Sequence, residues 1–104
     1  MLSSHGVEYK TRISIKEIIV SAGHPSIIGE TIHAKENRET KTDRAGMTIE
    51  QAQEFVDKAK LTVYQVDRNT LKFLAESGYT ILNFDHKLVT AVPQKWRKNY
   101  DKYL

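Results

Sequence analysis

Cysteine is absent from the 104 residues of this chain, which excludes thiol nucleophiles, thiolate metal sites and disulfides. Proline and glycine are scarce, at two and five residues, and no Pro/Gly-rich linker, internal repeat or low-complexity segment divides the chain. The length is that of one domain, large enough to bury a modest core without staples. No apolar run approaches the roughly 18 residues that a membrane span needs. Met1-Leu2-Ser3-Ser4-His5-Gly6 has neither the basic start nor the apolar stretch of a signal peptide, and reads either as an artificial start or as a cut from a longer protein. There is no P-loop, Rossmann glycine fingerprint, His-Glu-x-x-His or Gly-x-Ser-x-Gly. The four histidines do not fall at metal-ligand spacing, so neither a metal nor a cofactor is expected.

What is present is ordinary for a soluble globular domain: 39% hydrophobic and 28% charged residues. The net charge of +3 is unevenly spread. Lys95, Arg97, Lys98 and Lys102 face only Asp101 in residues 94–104, so the whole basic excess sits in the tail. With Trp96, Tyr100 and Tyr103 interleaved, that tail suits a nucleic-acid backbone and its bases. The plainer reading is a solvated terminal helix whose aromatics pack on the body.

Arg12 to Val20 fits a strand by its β-branched residues, and a helix by the spacing of Ile15, Ile18 and Ile19. Gly23-His24-Pro25 is a break. Pro25-Ser26 then reads as a helix entry, with Ile28 and Ile32 on one face and helix to about Arg38. Glu39 to Gly46 is a polar loop. Thr48-Ile49-Glu50-Gln51 is a capping box, and Ile49, Ala52, Val56 and Ala59 predict an amphipathic helix to about Lys60. The period then changes to two. Leu61–Val66, Thr70–Ala75, Tyr79–Phe84 and Leu88–Val92 read as strands joined by short turns, an antiparallel meander closed by Pro93. The expected fold is α+β, with N-terminal helices packed on a C-terminal antiparallel sheet. Its core spans about residues 26–93, and 94–104 form the basic tail.

Two clusters bear chemistry. His33, on the first helix, can exchange protons near neutral pH, and an arginine such as Arg38 or Arg44 could brace a phosphate and the charge that develops on it. Read singly, these are a helix histidine with a local hydrogen bond and two surface salt-bridge arginines. Thr90 is the second signal: alternation along the last strand puts its hydroxyl on one face with Leu88 and Val92. Most such threonines only satisfy a β-propensity.

His33-Ala34…Arg38, then Arg44-Ala45-Gly46-Met47-Thr48, the helix from Ile49, and Leu88-Val89-Thr90-Ala91-Val92-Pro93 together resemble the barnase–EndoU–colicin–RelE-like superfamily of bacterial toxin nucleases. The likeness covers about residues 30–93. The spacer between Arg38 and Arg44 is longer than that pattern has, and Ala45 separates Arg44 from its glycine; residues 1–29 have no counterpart. The resemblance implies metal-independent RNA cleavage through the RNA's own 2′-hydroxyl. His33 would be general acid or base, Arg38 or Arg44 would hold the phosphate, and Thr90 would orient it from the sheet. Lys35, Lys87 and Lys95 would add affinity for the backbone, and Tyr64 is a candidate for base stacking. It further implies the C-terminal effector of a larger secreted toxin, acting in a target-cell cytoplasm, with no membrane role. Such an effector is monomeric apart from a cognate immunity protein, often acidic. Two other readings compete: a non-catalytic nucleic-acid-binding module driven by the basic tail, and a phage-associated interaction domain with no affinity for phosphate.

Overall fold

The computed structural model describes residues 7–32, 34–36 and 47–94. Among the described residues seven strands form one sheet: β1 (Glu8–Arg12), β2 (Glu17–Ser21), β3 (Gly29–Glu30), β4 (Leu61–Gln65), β5 (Thr70–Ala75), β6 (Gly78–Asn83) and β7 (Lys87–Pro93). Their order across the sheet is β1-β2-β4-β5-β6-β7-β3. All pairings are antiparallel except β3 with β7. The helix Ile49–Asp57 lies between β3 and β4 in the chain. The chain is therefore α+β with a mixed sheet.

The helix starts where the sequence said. Thr48 Oγ1 accepts from the Gln51 N–H at 3.1 Å, and the Gln51 side-chain carbonyl accepts from the Thr48 N–H at 2.8 Å. Two of the N–H groups that every helix start leaves unpaired are thus satisfied. Ala52, Phe55 and Val56 are buried, while Glu50, Glu54 and Asp57 stay in water. The helix ends at Asp57, about one turn before Lys60. At its far end His24 Nδ1 donates to the Val56 carbonyl at 2.8 Å.

Strand register decides what the helix covers. Leu71 pairs with Leu82, and Phe73 lies between Thr62 and Thr80, all on the helix-facing side. The buried Thr80 hydroxyl donates to the Ala52 carbonyl at 2.8 Å, tying sheet to helix through an acceptor that the helix ladder uses only once. Leu71, Phe73, Leu82, Leu88 and Ala91 form this core with Phe55 and Val56. The opposite face carries Val63 and Leu74, packed by Leu61 and Tyr79. Asn69 and His86 take positive φ, 54° and 61°, in the two turns that bracket β5 and β6, a region where asparagine and histidine are tolerated better than most side chains. Among the described residues no helix is long and apolar enough to cross a membrane.

Four expectations need correction. Arg12 to Val20 is neither one strand nor a helix but spans the turn of a β1–β2 hairpin. That turn is made without glycine or proline: Arg12 Nη1 donates to the carbonyls of Ser14 and Ile15, and the Lys16 N–H donates to Ser14 Oγ. The hairpin pairs with β4, and Val7 and Val20 join the core, so the folded unit extends well before residue 26. The helix expected from Pro25 does not form over its first half, which holds β3; among its described residues Ile32 and residues 34–36 have helical backbone. Gln53 explains this, accepting from the Ile27 N–H at 2.7 Å and donating to the Pro25 carbonyl at 3.0 Å. With those backbone groups engaged outside the segment, Ile28 and Ile32 are left 69% and 80% exposed. Helices do not simply precede the sheet in the chain; three strands come first.

Candidate functional site

The outer edge of β7 gathers residues that are far apart in sequence. Asn83 Oδ1 accepts from the N–H groups of Asp85 and Lys87, at 2.9 and 3.0 Å, which shapes the turn into the strand. The His86 carbonyl accepts from the Ile28 N–H at 3.1 Å, Gly29 pairs with Lys87, and the Thr31 N–H donates to the Leu88 carbonyl at 2.9 Å. The chain then turns helical. Thr31 Oγ1 accepts from the Ala34 N–H at 3.1 Å, as a helix-capping threonine does, and the Thr31 carbonyl accepts from the Lys35 N–H. Ala34 is buried in the helix-side core, while Lys35 and Lys87 are exposed. Two cations and the segment leading to His33 therefore border the strand that carries Thr90. His33 itself, Arg38, Arg44 and Lys95 lie outside the described residues, as does the tail after residue 94.

Thr90 is not where strict alternation put it. Leu82 pairs with Leu88 but Ile81 pairs with Thr90, so Val89 is the extra residue of a bulge. Leu88 faces the helix side and Thr90 faces the other, beside Ile81. Ala34 and Thr90 thus belong to one edge but to opposite faces of it. The Thr90 Oγ1 is buried and has no hydrogen-bond partner among the described residues. Stripping water from a hydroxyl without replacing its hydrogen bond costs about 1–3 kcal/mol. Thr90→Val keeps the shape and removes that penalty. It is expected to raise stability by about 1 kcal/mol, a melting midpoint about 4–8 °C higher; a lower midpoint would mean that the hydroxyl has a partner.

Tyr64 is not a free stacking platform. It stands on β4, three strands from β7, with Tyr9 stacked on it at 5.9 Å and Phe84 meeting it edge-on at 5.4 Å. Its hydroxyl donates to Asn69 Oδ1 at 3.1 Å. The ring is packing, and it belongs to a different part of the sheet from Thr90 and Lys87. Sequence reasoning also passed over His86, whose left-handed backbone sits at the β7 edge next to Lys87; a histidine in a tight turn gives no motif to read. His24 is accounted for structurally by its bond to Val56. Among the described residues no three His, Asp or Glu side chains converge as a metal-holding set. No known protein family, curated protein or solved structure matches this chain.

Proposed function

We propose that the chain is a ribonuclease domain in which RNA lies against the β7 edge and is cleaved by its own 2′-hydroxyl. The observation that carries this reading is the parallel pairing of β3 with β7. It draws the segment bearing Thr31 and Lys35 onto the strand bearing Lys87 and Thr90, which are the same stretches that the nuclease resemblance selects. His33 acts as general acid or base, removing the 2′-hydroxyl proton or returning one to the leaving 5′-oxygen. Arg38 or Arg44 braces the phosphate as negative charge builds on it. Lys35 and Lys87 hold flanking phosphates, while Thr90, its hydroxyl buried on the face opposite Ala34, supports the strand edge without touching the phosphate. Helical segments on one face of a meander remain the family arrangement that this reading adopts, with the β1–β2 hairpin added to it. The wider setting follows from the same resemblance: a toxin effector delivered into a target cell and held inactive by an acidic immunity protein.

Incubating the purified chain with total RNA in the presence of a metal chelator tests the proposal. Fragments ending in a 2′,3′-cyclic phosphate are expected. Intact RNA overturns the ribonuclease reading, and RNA that is bound but uncut makes the nucleic-acid-binding module the better one.

A further inference from the structure

We propose that a groove at the opposite edge of the sheet, on β1, is a stacking subsite for a base of single-stranded RNA, with cations placed for the phosphates on either side. The groove is about 480 Å³ and is lined by Tyr9, Lys10, Arg12, Ile18, Tyr64 and Val66, a volume within the range of sites that take small ligands. Two cations and no carboxylate line it.

Its construction departs from a regular strand in a way that matters. In unbroken β-structure Lys10 would point away from the face that Tyr9 occupies. The register of β1 against β2 shifts between Tyr9 and Thr11, leaving Lys10 as an extra residue, and a bulge of this kind re-aims a side chain. Tyr9 and Lys10, neighbours in sequence, consequently line one groove. Arg12 follows on the same side, since it pairs with Ile18 as Tyr9 pairs with Val20. Its guanidinium is fixed at one end by the Ser14 and Ile15 carbonyls, which leaves its remaining N–H groups for an anion. Tyr9 is 41% exposed, yet its ring is held by Tyr64 behind it and Tyr64 by Phe84. A ring already fixed in place loses little freedom when a base stacks on it.

An aromatic face between two cations suits a base with its flanking phosphates. Base–aromatic stacking tolerates any sequence, because every base offers a π-face. An acidic peptide would use the cations alone and gain nothing from the ring. The choice of RNA over other polyanions rests on the ribonuclease reading; the groove itself does not.

The test measures binding of the full chain to a short 2′-O-methyl oligonucleotide, which cannot be cleaved through its 2′-oxygen, by fluorescence anisotropy at several salt concentrations. Tyr9→Ala is expected to weaken binding about 5- to 100-fold, with Tyr9→Trp retaining it and all variants melting as folded proteins. Lys10→Gln should flatten the slope of log affinity against log salt by about 0.7, the value for one phosphate contact on a single strand. Unchanged affinity in Tyr9→Ala overturns the proposal. So does displacement of the oligonucleotide by polyglutamate from wild type and Tyr9→Ala alike, which would reduce the groove to a cationic patch. Tyr9-dependent binding by a wild-type chain that leaves natural RNA uncut would sink the ribonuclease reading and keep the groove.

Discussion

Phe73→Ala is expected to lower stability by about 3–5 kcal/mol, the largest effect of any single truncation in the described core. Phe73 is fully buried at the centre of β5. Its cross-strand neighbours Thr62 and Thr80 are themselves buried, and neither can grow to fill the space. Thr80 is further held by its bond to Ala52, so collapse onto the hole would break the link between sheet and helix. Domains of this size are stable by only about 5–15 kcal/mol, and each kcal/mol moves the midpoint by about 4–8 °C. A fall of at least about 12 °C should therefore appear in a thermal melt. Ile15→Ser provides the contrast, because Ile15 is 82% exposed in the β1–β2 turn and its loss should stay within about 0.5 kcal/mol. A Phe73→Ala midpoint close to wild type would mean that the sheet is not packed against the helix as described.

The parts of the fold that the sequence announces are those whose signals are local. Thr48 and Gln51 are three residues apart and satisfy each other, so the helix start needs no distant partner. The four strands from Leu61 to Pro93 are each tied to the next by a turn of a few residues, and their bounds agree with the alternation to within two positions. Even Pro93 behaves as expected: it ends β7 opposite Gly78, and Gln94 supplies the next N–H, to the Ser77 carbonyl.

What escapes the sequence is what depends on distant partners. The spacing of Ile28 and Ile32 suits a helix, but Gln53 and β7 take the backbone bonds that such a helix would need. A two-residue strand such as β3 has no periodicity to detect; its pairing with β7, flanked by bonds to the His86 and Leu88 carbonyls, makes it one. The β1–β2 turn is stabilised by a side chain, Arg12, and not by the residues that usually mark turns. For the site, alternation failed at Val89, where one extra residue sends Thr90 to the face opposite the one Leu88 shares with the helix. The residue types were legible and their faces were not. Tyr64 shows the converse: its ring type suited stacking, while its packing between Tyr9 and Phe84 passes the accessible face to Tyr9.

His33→Ala is expected to slow RNA cleavage by about 10²–10⁴-fold, the contribution typical of a positioned general acid or base, while leaving RNA affinity close to that of wild type. The separation follows from the charges involved. Affinity for RNA comes mainly from cations neutralising phosphates, and Lys35, Lys87, the groove cations and the tail are untouched by the substitution. Proton transfer contributes only as the 2′-oxygen closes on phosphorus and the bond to the 5′-oxygen breaks, so its loss appears in kcat and not in KM. Lys87→Gln should give the reverse pattern: weaker binding, a shallower salt dependence and a kcat close to wild type for the RNA that is bound. Single-turnover cleavage beside anisotropy on the uncleavable oligonucleotide measures both quantities. If His33→Ala cleaves at the wild-type rate, proton transfer belongs to another group, and His86, at the same edge of β7, becomes the next histidine to replace. If it loses affinity and rate in equal measure, His33 is holding RNA and the catalytic role assigned to it is wrong.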